Sequence, residues 1–330
     1  MSVIGNTALQ FSEEQAMLLD VAREFCRDKS PMGVVRAQLE TDTGFDGDVW
    51  DEMVGLGWTG IALPESCGGS GMGVATVVPV VEAMGRAMLG TPLISTTLAG
   101  QLLLRAGGAG ELDTVLAEIA AGAPASVALL ENEDWGNEAI ACRVDDDGRL
   151  HGAKKYVVDA TAASLFVVVV EHRGAPALAL VRAAQLPAQA MSPCTLIDQT
   201  RRAANVDFSG VELAEGALVT GPAVSAALRD HLLLGALLLA AESTGSAASC
   251  LDTIVDYLKT RKQFGKLIGS YQALKHPTVE ILTAVDATRS FVYHAATLVG
   301  ETGLDRDAEI ACRMAKAQAT DTLLYAGDRA

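Results

Sequence analysis

Cysteine is sparse in this sequence. Cys26, Cys67, Cys142, Cys194, Cys250 and Cys312 are scattered over 330 residues without a single C-x-x-C pair. That spacing argues against a disulfide framework or a zinc site and fits reduced thiols in a cytoplasmic setting. Basic residues are also in deficit: 25 Lys and Arg face 41 Asp and Glu, for a net charge of −16. Nonspecific nucleic-acid binding runs on phosphate neutralisation by Lys and Arg, so this balance opposes it. No uninterrupted apolar run reaches the ~18–20 residues of a membrane span. The longest, Leu232 to Ala241, stops at Glu242 and reads as a buried core helix. A basic n-region followed by an apolar stretch is missing at the N-terminus, so no secretory signal is visible. Gly68-Gly-Ser-Gly71 lacks the Gly-Lys-Ser/Thr of a Walker loop and reads as a turn.

What is present divides into three. Half the residues are hydrophobic, enough for a sizeable core. Residues 1–122 carry helical periodicity: Met17, Leu18, Val21 and Phe25 follow Ser12, an N-cap with Gln15 in capping-box position. Further helices are expected over Val49–Leu56, Val74–Met88 and Pro92–Ala106. Residues 123–222 switch to short β-rich runs, Ala125–Leu130, Arg149–Val158, Leu165–Glu171, Ala177–Val181 and Ala203–Val211. Turn signals separate them, which indicates an antiparallel sandwich or barrel. Residues 223–330 are helical again, over about Ala226–Arg261, Tyr271–Thr302 and from Asp305 on. Pro277 is compatible with the first turns of the second of these; the alternative is a start after His276. The fold class is α+β, with the two helical segments packing together. The last helix carries no stop signal beyond Gly327, and the chain reads as cut or unusually short.

Four segments in this order carry a resemblance. They are Gly57-Trp58 through Leu63-Pro64-Glu65 to Gly68-Gly-Ser-Gly71, then Leu150-His-Gly152-Ala-Lys154-Lys-Tyr156-Val-Val158, then Arg261-Lys-Gln263-Phe264-Gly265 to Ile268 with Tyr271-Gln272, and Met314-Ala-Lys316. Together they resemble the acyl-CoA dehydrogenase family. Gln272-Ala-Leu-Lys-His276 and Asp198-Gln-Thr-Arg201-Arg202 look like its branch of actinobacterial dehydrogenases of steroid side-chain CoA thioesters. The resemblance implies a helical domain, a middle β-domain and a C-terminal helical bundle. It also implies FAD as cofactor, an acyl-CoA substrate, a tetramer, and an electron-transfer protein as acceptor. In such proteins a carboxylate removes the α-proton and the flavin accepts a hydride from Cβ. Hydrogen bonds to the thioester carbonyl and burial of the base make that step feasible. The family's final Q-x-x-G-G-x-G segment, which contacts FAD, is absent.

The resemblance gives roles to particular residues. Arg261 and Gln263 would contact the FAD pyrophosphate of a neighbouring subunit, where a guanidinium offers a planar fork to phosphate oxygens, and Phe264 would pack beside them. Ile268, Tyr271 and Leu274 would line the adenosine half. Without it, the same stretch is a helix end favoured by its basic residues and stopped by Gly265. Glu242 is the candidate base, about two turns nearer Arg261 than the better-known helical position, which is Gly235. The alternative is a Glu paired with a basic residue of the bundle or lying at its edge.

The middle domain departs from the family. Leu130 stands where a Thr would reach the flavin, in Leu129-Leu130-Glu131 through Glu138. Where the family has W-I-T this chain has Tyr156-Val157-Val158. Tyr156 could stack on a flavin, but two hydroxyl donors have become aliphatic, and an unpaired buried acceptor costs on the order of 1–3 kcal/mol. Three readings follow. The first is a flavin-poor subunit of a heterotetramer that lends Arg261 and its neighbours to a partner's FAD. The second is a self-sufficient homotetramer with Glu242 as base. The third is a non-catalytic scaffold homologue.

Overall fold

The computed structural model describes residues 13–107, 111–134, 139–300 and 303–330. In chain order it holds α1 (Glu13–Lys29), α2 (Met32–Gln38), α3 (Gly47–Gly55), α4 (Val77–Ala87), α5 (Leu93–Ala106) and α6 (Glu111–Ala120). Strands follow: β1 (Ala125–Ala128), β2 (Arg143–Val144), β3 (Leu150–His151), β4 (Ala153–Val158), β5 (Leu165–His172), β6 (Ala175–Arg182), β7 (Met191–Pro193), β8 (Ala203–Asp207) and β9 (Leu218–Val219). The chain then runs through α7 (Ala223–Thr260), a hairpin of β10 (Lys262–Gln263) and β11 (Lys266–Leu267), α8 (Gln272–Leu298) and α9 (Arg306–Arg329). The expected Ser12 cap lies outside the described residues. So do Trp135, Gly136, Asn137 and Glu138 of the segment aligned with the flavin strand.

Chain contacts sort these elements into two units. One comprises Met32–Gly73 and Gly90–Leu232; the other comprises Met1–Pro31, Val74–Leu89 and Leu233–Ala330.

The first unit is organised by β5. Its run Leu165–Val170 is apolar without alternation, the signature of a strand buried on both faces. Period two sorts the side chains. Leu165, Val167 and Val169 join a core with Leu102, Leu103, Leu116 and Ile119 of α5 and α6. Phe166, Val168 and Val170 join Val157, Ala204, Val206 and Phe208 of the second sheet. The larger sheet runs β3-β2-β5-β6-β9 with β1 also on β5; the smaller runs β4-β8-β7. The antiparallel expectation needs correction: β1 and β2 both pair with β5 in parallel. Each reaches it through a crossover rather than a hairpin, which a run of apolar residues cannot reveal. β1 stops at Ala128, so Leu129 and Leu130 lie past its end. Arg202 ties down the turn after α2, donating to the carbonyls of Gln38, Leu39 and Thr41 at 3.1, 3.0 and 2.8 Å.

In the second unit α4 and α7 touch backbone to backbone. A Cβ on Gly85 would lie 2.1 Å from the Glu242 carbonyl oxygen, and one on Gly245 1.9 Å from that of Glu82. Only glycine permits this approach. The Ser246 hydroxyl donates to the Gly85 carbonyl at 2.9 Å and fixes the crossing. Ala247, Ala248 and Leu251 of α7 pack with Ile281 and Val285 of α8 and Ala326 of α9. Among the described residues α7 alone is long and apolar enough to cross a membrane. Its Leu233, Leu234, Leu237 and Leu238 are instead at most 2% exposed, so the composition is that of a core helix. α8 begins at Gln272 and carries Pro277 inside, the earlier of the two expected starts. Asp305 caps α9, its carboxylate accepting from the Ala308 amide.

Candidate functional site

The segment after α7 folds as a two-residue hairpin. Lys262 and Gln263 pair with Leu267 and Lys266, and the turn residues Phe264 and Gly265 have φ of 52° and 77°. Positive φ at both turn positions matches the twist of a tight hairpin. For phenylalanine the left-handed conformation costs roughly 1–2 kcal/mol. Tyr271 helps to offset it. Its ring meets Phe264 edge-on at 6.4 Å, Lys266 Nζ lies 4.3 Å above it, and its hydroxyl donates to the Gln263 carbonyl at 3.4 Å. The Ile268 amide donates to the Arg261 carbonyl at 2.9 Å and closes the base.

Arg261 and Gln263 are exposed, and Phe264 is 91% exposed. Residues 259–275 hold Lys259, Arg261, Lys262, Lys266 and Lys275 and no acidic residue, in a chain of net charge −16. The structure therefore gathers Arg261, Gln263, Phe264 and Tyr271 into one cationic surface carrying an exposed ring. Leu274 is exposed on the first turn of α8, while Ile268 is half-buried.

Glu242 stands apart from this surface. It is half-buried on α7, where the α7 backbone meets Gly85. Eighteen residues separate it from Thr260, the end of the helix, or about 27 Å of axis at 1.5 Å per residue. Glu242 and the hairpin do not form one cluster within the chain.

Tyr156 lies in the first unit at a break in β4, with φ of 50° where the register to β8 shifts. Its amide donates to Asn205 Oδ1 at 3.2 Å, and its side chain is half-buried. Val158 is 47% exposed. The nearby Ser126 hydroxyl is spent on the Val158 carbonyl at 2.6 Å. The Leu130 carbonyl takes the Lys155 amide at 2.7 Å. The fit to an FAD is thus uneven. The hairpin offers cationic donors suited to a diphosphate. Leu130 and Val158 offer no side-chain donor to a flavin ring.

Several buried charged groups escaped sequence reasoning. Lys154 is fully buried, 2.5 Å from Glu131 Oε1 and 3.1 Å from the Leu129 carbonyl. Burial pulls the Lys154 ammonium below its ordinary value, against the hydrogen bond it donates to Glu131. Burial would raise the Glu131 carboxyl, but Lys154 and the amides of Cys142 and Ala141 outweigh it and hold it low. Asp159 is 8% exposed and accepts from the Ser95 hydroxyl at 2.7 Å. Burial raises its carboxyl, with Arg201 and Ser95 opposing. Asp198 accepts from the Thr200 amide and hydroxyl at 2.9 and 2.6 Å. Asp230 holds Arg105 at 3.1 Å, both nearly inaccessible.

In the second unit, Glu82 lies 3.1 Å from Arg289 and accepts from the Tyr293 hydroxyl at 2.6 Å. The signal was Glu82 interrupting Val77-Val-Pro-Val-Val81: a lone acid inside an apolar run needs a buried partner.

Family profiles match on either side of the β-rich segment. "Acyl-CoA dehydrogenase, N-terminal domain" covers residues 12–123, and "Acyl-CoA dehydrogenase, C-terminal domain" covers residues 225–330. The chain is 32% identical over 286 residues to the acyl-CoA dehydrogenase IpdE2 of Mycobacterium tuberculosis, spanning 86% of this chain and 76% of that one. It is 26% identical over 316 residues to CarC, a subunit of the caffeyl-CoA reductase-Etf complex of Acetobacterium woodii, at 88% and 80% coverage. Among solved structures, a variant of the steroid ACAD Tcur3481-Tcur3483 superposes with a TM-score of 0.82 at 29% identity, covering 96% of this chain and 85% of that one.

Proposed function

The chain belongs to the acyl-CoA dehydrogenase family, and from that membership we propose that it is one subunit of an oligomeric, FAD-dependent acyl-CoA dehydrogenase that lends its hairpin to a neighbouring subunit's cofactor. The observation that carries this reading is Phe264, held at φ 52° and 91% exposed within a cluster of cations. A strained, exposed aromatic beside Arg261 has the form of a contact awaiting a partner. Tyr257, Leu267, Leu274 and Val279, each at least 40% exposed, extend the apolar part of the patch. Arg261 and Gln263 would hold the diphosphate with Phe264 packed beside them; Ile268, Tyr271 and Leu274 would border the adenosine.

Leu130 and Val158 favour a heteromer in which this chain's own β-domain binds flavin weakly, with Tyr156 as an aromatic that would stack on it. FAD, when bound, supplies the hydride acceptor. The likeness to a steroid ACAD supports a steroid-derived acyl-CoA as substrate. The likeness to a subunit of an Etf complex supports an electron-transfer protein as acceptor. A cytoplasmic location accords with six free thiols, four of them buried.

Purification of the chain alone tests the proposal. Little bound flavin is expected; one flavin per chain would sink the heteromeric reading.

A second reading rests on Glu242, half-buried beside the α4 backbone, as the base of a self-sufficient enzyme. Changing Glu242→Gln and following flavin bleaching by an acyl-CoA decides it. Loss of bleaching with flavin content intact supports that role, and unchanged reduction removes it.

A further inference from the structure

We propose that the second unit contains a binding site for a small tetrahedral oxyanion, inorganic phosphate or sulfate, in the cavity bounded by α1, α4, α7 and α8. This inference does not depend on the flavin reading. The cavity measures about 130 Å³, and its walls include Arg23, Glu82, Arg86, Thr244, Ala248 and Arg289. Three guanidinium groups from three different helices therefore meet at one small space.

The carboxylates present do not satisfy them. Glu82 takes Arg289 at 3.1 Å, and Asp252 takes Arg86. Arg23 has Asp20 at 3.9 Å, but that carboxylate is 83% exposed and screened by water. One cation is thus in excess at the cavity. The sharper sign is Arg289 Nη2. It is buried, in a residue only 7% exposed that lines the cavity, and has no hydrogen-bond partner. Buried polar nitrogens without partners are rare, and an oxyanion is the acceptor that matches a guanidinium donor. The Thr244 hydroxyl is spent on the Ala240 carbonyl at 2.7 Å, so the guanidinium groups alone supply the donors. Arg23 also registers the unbalanced charge. Burial lowers its pKa first, then repulsion from Arg289 and Arg86, with Glu82 opposing.

Size and access limit the ligand. A cavity of this volume admits phosphate or sulfate but not a nucleoside. Arg23, whose side chain is 38% exposed, forms the solvent side of the wall and gives a way in.

The test uses the intact chain. Sodium phosphate is titrated against sodium chloride at constant ionic strength, and the thermal midpoint is followed. Phosphate and sulfate also stabilise proteins by exclusion from their surface, an effect that does not saturate. A saturable rise is expected for the native chain. In Arg23→Gln, which leaves Glu82, Arg289 and Tyr293 in place, apparent phosphate affinity should drop about tenfold or more. In Ala248→Leu, which fills the cavity, the saturable part should vanish. A linear, non-saturating rise shared by the native chain and Arg23→Gln would mean that the cavity holds water only, and would overturn the proposal. Displacement of phosphate by ADP would reassign the site to a phosphate ester and overturn the free-ion assignment.

Discussion

Phe264 and Tyr156 share a backbone peculiarity, positive φ, the first in a hairpin turn and the second at a break in β4, yet their surroundings differ in kind. Around Phe264 the chain keeps exposed cations and no acids. Near Tyr156, Leu130 and Val158 are aliphatic and the Ser126 hydroxyl is engaged with the Val158 carbonyl, while Lys154, two residues earlier, turns inward to Glu131. The first place presents its charges and its ring to solvent. The second is fastened to its own interior. If the hairpin serves a neighbour's cofactor as proposed, a family plan is kept at one element and relaxed at another, because each answers to a different set of contacts.

The contrast predicts opposite outcomes for substitution, and the largest effect should come at the interior end. Lys154→Met leaves the half-buried Glu131 without its cation, held only by the Ala141 and Cys142 amides, and should cost about 3 kcal/mol in denaturant unfolding. Adding Glu131→Gln should recover much of the loss. A small effect in the single variant would show that β4 does not depend on the pair.

At the outward end, Arg261→Ala should reduce flavin retained by the assembled oligomer by about tenfold, near 1.4 kcal/mol, with chain stability unchanged to within ~0.5 kcal/mol. Loss of stability instead would make the hairpin structural. Restoring donors with Leu130→Thr and Val158→Thr should raise flavin binding by the isolated chain, each hydrogen bond adding about 1 kcal/mol. If the double variant stays colourless, more than two hydroxyls separates this domain from a flavin site.

The smallest effect is one of pH. Burial lowers the His231 imidazole to about 4, against a weaker hydrogen bond to the Leu98 backbone. The unfolded chain then takes up a proton that the folded one refuses between pH 6.5 and 4, so stability falls as pH drops through that window and levels off below it. His231→Gln should flatten this limb in unfolding curves taken across the range.

Sequence pattern reached the long elements and the identity of the hairpin residues. Helical periodicity placed α7 to within three residues at its start, since Leu233, Leu237 and Leu238 are a sustained apolar face. It missed α2, β2, β7 and β9, which are too short for a period to show, and also α6, whose Leu112, Val115, Leu116 and Ile119 do keep helical spacing. The Phe264-Gly265 turn was legible only as a break; that both residues take positive φ depends on the pairing of Lys262 with Leu267. The polar interior was out of reach for another reason. Glu82 and Arg289 are 207 positions apart, and nothing local to either marks the other. The same holds for the cavity they line, since an empty volume belongs to packing and leaves no trace in composition.

Strand β5 has a consequence for how the chain is made. Leu165–Val170 is six residues long, uncharged and free of proline and glycine, the composition that seeds intermolecular β-stacking when exposed. The β6 hairpin can cover one of its edges as soon as the turn at Arg173-Gly174 forms. The other edge is taken by β1 and β2, which precede it in the chain and so have already been synthesised when β5 emerges. Any variant that delays β1, including one that loosens the Lys154–Glu131 anchor just past its end, will show its damage first as insoluble protein in the expressing cell, before any change in the properties of the molecules that fold.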